Sequence, residues 1–151
     1  MGTRSAIGYK TPEGKVRGIY CHYDGYIAHN GKILQEHYQA AYKVAQLVEL
    51  GDMSTMGEEV GVQVDFNDRS AHEGQCVYYG RDRGESDVET QTYETIGDFV
   101  DAFDGCEYFY IYANGKWIVH DKYGVGTDAS GFPIFDFLDI HVEGLQNAKL
   151  V

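Results

Sequence analysis

Hydrophobic positions alternate twice near the start of the chain. Residues 5–10 (SAIGYK) and 15–21 (KVRGIYC) read as two strands joined by TPEG. Proline presets the second position of a type I turn, and Gly14 suits the left-handed position that closes it. The hairpin delivers a polar stretch, CHYDGY (residues 21–26), just past its second strand. After a loop over 26–31 the period changes. Ile33, Leu34, His37, Tyr38, Ala41, Val44, Ala45 and Val48 recur at three and four, which predicts one amphipathic helix of about sixteen residues that Gly51 stops.

Residues 52–74 show no sustained period, so a short strand around 60–64 and otherwise loop are expected there. QCVYY (75–79) reads as a strand that ends in GRDRGE. Thr95 with Asp98 three residues on resembles a capping box. Ile96, Phe99, Val100 and Phe103 then form one helical face, closed by Gly105. EYFYIYANGKWIVH (107–120) is a hairpin around Asn114-Gly115, the favoured type I′ dipeptide.

With a two-residue loop, Tyr112 faces Trp117 and Ala113 faces Lys116. Tyr108, Tyr110, Tyr112, Trp117 and Val119 then share one side of the sheet, and Phe109, Ile111, Ile118 and His120 the other. Either both sides are covered, or the aromatic side meets a ligand or another subunit. The stretch FPIFDFLDIHVEGL (132–145) is expected to add a last short helix or strand. The pattern predicts an α+β fold over residues 1–151 as a single domain: an antiparallel sheet of four to six strands built from two β-hairpins, with two or three helices.

Composition narrows the function. The formal charge is −12, and residues 84–151 hold three basic against thirteen acidic side chains. Such a surface repels phosphate backbones, so nucleic-acid binding is not expected, whereas a basic protein partner is compatible. No apolar stretch approaches membrane-spanning length, and no signal peptide is expected. Three scattered cysteines, Cys21, Cys76 and Cys106, read as free buried thiols in a reducing cytoplasm. No CxxC, HxxxH or HExxH spacing occurs, so no metal and no cofactor are expected.

Three clusters carry chemistry. Arg4, His22, Asp24 and Tyr26 come first. His22 and Asp24, two apart on an extended stretch, point the same way, so the carboxylate would orient the imidazole as a general base. Against this, and favoured over it, Asp24-Gly25 reads as the turn that leaves the strand, with His22 partly buried. The second cluster, Arg81 and Arg83 between glycines, suits a phosphate or carboxylate. The alternative is pairing with nearby acids. The third is a partner surface of Asp98, Asp101 and Asp104 with the aromatic row Tyr108, Tyr110 and Trp117, unless that row is core beneath a helix.

The opening MGTR, then GIYCHYDGYIAHNGKIL, EHY…KVAQLVELGDMSTMG and CVYYGRDRGE together resemble a family of small uncharacterised proteins of tailed bacteriophages and prophages. Typical members carry tryptophan where this chain has Tyr23 and proline where it has Ile27. The resemblance covers residues 1–57 and 75–85. It implies Gly2, Thr3, Arg4, His22, Asp24, Gly25, Tyr26, Gly31, Arg81, Asp82 and Arg83 as the family's shared set, and a location in the cytoplasm of an infected bacterial cell. It implies no reaction.

The expected function is therefore that of an acidic phage accessory protein that acts by binding. It would inhibit a host or anti-phage defence protein by docking on a basic face, or sequester a phosphorylated signal molecule, as a monomer or a homo-oligomer. The alternative is a phosphoester-directed hydrolase that uses His22 and Asp24 with Arg4, Arg81 and Arg83.

Overall fold

A computed structural model describes residues 3–121 and 136–137. The strands are β1 (Ser5–Lys10), β2 (Val16–Cys21), β3 (Met53–Thr55), β4 (Val77–Tyr78), β5 (Gln91–Tyr93), β6 (Tyr108–Ala113), β7 (Lys116–Asp121) and β8 (Asp136–Phe137). The α-helices are α1 (Lys32–His37), α2 (Ala41–Glu49), α3 (Tyr79–Arg83) and α4 (Ile96–Ala102), with a π-helical turn over Ile27–Gly31 and a 3₁₀ turn over Arg69–His72. The fold is α+β. Apart from β8, the predicted element over 132–145 lies outside the described residues.

Both predicted hairpins form. At the first turn Gly14 has φ +83° and its N–H donates to the Thr11 carbonyl at 2.9 Å. At the second, Asn114 and Gly115 have φ of 52° and 78°, and Tyr112 pairs with Trp117 and Ala113 with Lys116. The sheet that joins them is mixed, not antiparallel. Its order is β4-β3-β2-β1-β6-β7-β8, with β5 also paired to β2. β1 runs parallel to β6 from Ser5↔Tyr108 to Tyr9↔Tyr112, and β2–β3 and β7–β8 are parallel as well. Local turn chemistry specifies each hairpin, whereas the docking of one on the other is set by which faces must be buried.

Helices lie on both sides of the sheet. Ile7, Ile19, Tyr110 and Trp117 pack with Leu34, Tyr38, Val44 and Leu47 from the α1–α2 layer. On the other side Ala6, Val16, Phe109 and Ile111 pack with Ile96, Phe99 and Val100 of α4. Gly8 and Gly18, paired across β1 and β2, leave room for the Phe99 ring. A Cβ on Gly18 would lie 2.3 Å from a Phe99 ring carbon.

The single helix expected over 33–48 is two helices. α1 ends at Tyr38, with φ −125° and ψ 62°, and α2 starts after Ala40. Side chains of the second hairpin take the main-chain carbonyls at the break. Trp117 Nε1–H donates to the Tyr38 carbonyl at 2.8 Å, and the Tyr112 hydroxyl donates to the Gln39 carbonyl at 2.6 Å. The Tyr38 ring is thereby turned into the core, and its hydroxyl reaches the Gly57 carbonyl at 2.7 Å. Tertiary hydrogen bonds have replaced those that would continue the helix.

No strand forms over 60–64. The Val60 and Gly61 carbonyls accept from Arg81 and the Val62 carbonyl from Gln75, so side chains do the work of a ladder. Only an isolated bridge, Glu59↔Gln75, remains. The strand expected over 75–79 is only the two residues of β4, and Tyr79 already starts the short helix α3, closed by Gly84 at φ +73°. Among the described residues no helix is long and apolar enough to cross a membrane.

Candidate functional site

A cleft of about 700 Å³ opens where β2 and β3 end, between those strands and the 66–88 segment. On the strand side, pairing continues past β2. His22 N–H donates to the Met53 carbonyl at 3.1 Å and Tyr23 N–H to the Ser54 carbonyl at 3.0 Å. The chain then turns sharply at Asp24, whose φ is 58°, and Gly25 packs against β1. A Cβ on Gly25 would lie 2.7 Å from Ser5 Cβ and 2.8 Å from the Thr3 carbonyl oxygen, so only glycine fits there. The Gly25 N–H donates to that same carbonyl at 2.7 Å, and the Tyr110 hydroxyl donates to the Gly25 carbonyl at 2.6 Å. These contacts fix the turn and leave Tyr23 and Asp24 lining the cleft.

Opposite, Asp82 holds the wall together from within. Its side chain is fully buried and accepts from Val64 N–H at 3.0 Å, Tyr78 N–H at 2.7 Å and Arg81 Nε and Nη2 at 3.0 and 3.1 Å. Burial opposes ionisation of this carboxyl, but the bonds from Arg81, Tyr78 and Val64 outweigh it and leave its pKa below the usual value. Arg81 spends its remaining donors on the Val60, Gly61 and Cys76 carbonyls. Arg83 lies over the rings of Phe66 and Tyr79, 4.7 Å from each centroid, and pairs with Glu85. Arg69 and His72 come from the 3₁₀ turn capped by Asp68, and His72 Nε2 bonds the Asp65 carbonyl at 2.9 Å.

The cleft thus gathers Arg69, His72, Arg83 and its partner Glu85 on one wall and Tyr20, His22, Asp24 and Asp52 on the other. Among the described residues, neither the Arg69 guanidinium nor the Asp24 carboxylate makes a hydrogen bond or ion pair with protein. Asp52 accepts the Tyr20 N–H at 2.9 Å through Oδ1, and burial raises its pKa. Burial also lifts the Tyr20 phenol to about 12, helped by nearby Cys106, so the phenol stays protonated. Its oxygen lies 2.7 Å from His22 Nδ1. To a neutral imidazole it donates, which leaves the ring proton on Nε2.

Of the candidate ligand-binding residues, the structure brings His22, Asp24 and Arg83 into one cleft. It does not bring in Arg4, Tyr26 or Arg81. The Arg4 main chain bonds Glu107, and its guanidinium lies near Gly105. Tyr26 is exposed, with its ring 6.0 Å from that of His29. Arg81 is consumed in the clamp on Asp82. The expected His22–Asp24 pair does not form, because Asp24 has left the extended conformation and Tyr20 takes the imidazole. The hydrolase constellation is therefore not assembled. Cys21 is fully buried, its sulfur accepts from Asn30 Nδ2 at 3.4 Å, and burial pushes the thiol up, as fits a core thiol.

The partner surface needs correction too. Tyr110 is 0% and Trp117 5% exposed, and Tyr108 packs partly buried against the same core, so the aromatic row is core under α1 and α2. Asp98 and Asp101 on α4, and Asp104 in the turn after it, are exposed. The residues missed were Tyr20, Asp52, Phe66, Arg69, His72 and Tyr79. Tyr20 and His22, two apart on the strand, share the same alternation as His22 and Asp24. Phe66, Arg69 and His72 lie in the segment without periodicity. Among the described residues no three His, Cys, Asp or Glu side chains are grouped to hold a metal ion. Searches against models of protein families, curated proteins and solved structures find no match for this chain.

Proposed function

We propose that this protein acts by binding, and that it sequesters a phosphorylated small molecule in the cleft between β2–β3 and the 66–88 segment. The observation that carries the reading is Arg69. It is a cation without a protein partner among the described residues, in the same cleft as Arg83, His22 and His72. A guanidinium matches phosphate oxygens with paired donors, and Arg83, held over two rings and paired with Glu85, lines the same cleft. A volume of about 700 Å³ suits a small molecule, not a polymer. The resemblance to phage proteins supports a stoichiometric role in the cytoplasm of an infected cell, where removal of a signal molecule would blunt a host defence.

The test is a ¹H–¹⁵N NMR titration with pyrophosphate and with nucleoside monophosphates. Shifts confined to residues 20–24, 52–55 and 66–88 are expected, and Arg69→Gln should weaken binding roughly tenfold or more. Absence of shifts with every probe, or shifts scattered over the surface, overturns the reading.

Docking on a basic protein face is the second reading. Asp98 and Asp101 favour it, since both are exposed on α4 and no positive side chain occurs between Arg83 and Lys116. Under that reading Asp98→Asn with Asp101→Asn abolishes capture of the partner and Arg69→Gln leaves it intact.

A further inference from the structure

Resting on the small-molecule reading above, the geometry points to a ligand class: we infer that the cleft selects a guanine nucleotide, with its phosphate toward Arg69 and its base edge toward Asp24. The cleft is not uniformly basic. Its cations come from the 66–88 wall, where Glu85 already pairs with Arg83 and leaves Arg69 as the cation open to a ligand, whereas the strand wall presents the carboxylates of Asp24 and Asp52. A ligand anionic throughout, such as phosphate alone or a dicarboxylate, would meet those two groups as like charges. A ligand with an anion at one end and N–H donors at the other satisfies both walls.

Asp24 is placed for that second task. It adopts φ 58°, a left-handed conformation that aspartate usually reaches with help from a side-chain bond to its own local backbone. Here the carboxylate makes no such bond among the described residues, so both oxygens keep their acceptor capacity at the cleft. Backbone strain of this kind gathers at ligand sites. Asp52 lies in the same cleft with Oδ1 held by the Tyr20 N–H.

Two coplanar carboxylate oxygens accept two parallel N–H groups. Guanine offers that pair, its ring N1–H beside its 2-amino group. Adenine and cytosine set their amino group beside a ring nitrogen lone pair, and uracil flanks its one N–H with two carbonyls. Each of those would set an acceptor against the carboxylate. The exposed Tyr23 ring and the Phe66 ring, both lining the cleft, offer flat faces for a base.

Isothermal titration of the full chain with GMP, IMP, AMP and inorganic phosphate tests the inference. IMP lacks only the 2-amino group. GMP should bind roughly tenfold or more tighter than IMP, and tighter still than AMP, because a charged acceptor is left half-used or opposed. Asp24→Asn keeps a side chain that tolerates the left-handed turn. It should abolish the difference between GMP and IMP while phosphate binds as well or better. Equal affinity for GMP and AMP, or a GMP preference that survives Asp24→Asn, overturns the guanine assignment and leaves anion binding standing. If neither phosphate nor any nucleotide binds, the underlying reading fails and this inference fails with it.

Discussion

Asp82→Asn is the substitution that probes the cleft wall most directly. The change is nearly isosteric, so its effect is one of hydrogen bonding and charge. Oδ1 accepts from Val64 N–H and Arg81 Nε, and Oδ2 from Tyr78 N–H and Arg81 Nη2. In either orientation the new amide sets its NH₂ against one main-chain N–H and one guanidinium N–H. Two buried donors lose their acceptor at roughly 1–3 kcal/mol each, and a guanidinium only 14% exposed loses its counter-charge. The sum is about 3–5 kcal/mol, out of the roughly 5–15 kcal/mol that holds a domain of this kind together.

Urea denaturation at pH 7, followed by circular dichroism, measures that loss. Asp101→Asn, on the exposed side of α4, is the control and should stay within about 0.5 kcal/mol of the parent. The pH dependence has a definite sign. The folded pKa of Asp82 lies below its usual value of 3.8, so its contribution is present above that value and is lost as pH falls through the folded one. The gap between parent and variant should therefore narrow in strong acid. A loss under about 1 kcal/mol at pH 7, or a gap that does not narrow, would refute the clamp.

Other outcomes follow from the packing. Gly18→Ala should destabilise by about 1–3 kcal/mol through its clash with Phe99, and Phe99→Leu in the same chain should recover part of that loss in the urea midpoint. Trp117→Phe removes the donor to the Tyr38 carbonyl and should cost about 1–3 kcal/mol; hydrogen exchange should show lost protection around residues 34–44 first. Asp52→Asn should stabilise the protein at neutral pH, because the native state holds the Asp52 proton more tightly than the unfolded chain does. Stability then falls as pH rises through the raised pKa, so the melting curves of parent and variant should converge below the usual carboxylate range.

What could be read from the sequence was what neighbours decide. The TPEG and Asn114-Gly115 turns and the Thr95 cap, whose hydroxyl accepts Asp98 N–H at 3.0 Å, depend on residues within four positions of one another. The break at Tyr38 depends on Trp117, 79 positions away, and no periodicity within 33–48 records it. Alternation failed at Asp24 because it presumes an extended chain, and φ turns positive there. The arginines in GRDRG have separate fates because Asp82 between them is buried, which two-residue spacing cannot reveal. Phe66, Arg69 and His72 lacked any pattern because their stretch is a short turn held by local bonds, the Asp68 cap and His72 to the Asp65 carbonyl, which impose no hydrophobic period.

The parallel pairing of β1 with β6 bears on how the chain is made. Ser5 finds its neighbour at Tyr108, 103 residues later in synthesis. At roughly 5–20 residues per second, the nascent N-terminal hairpin waits about 5–20 s for that neighbour. Over that interval one edge of β1 stays open, a template for any other strand that passes. A pairing this distant in sequence also raises the contact order, which places folding among the slower small domains. A cell that makes this protein in quantity therefore has reason to shield the first strand until the sixth emerges.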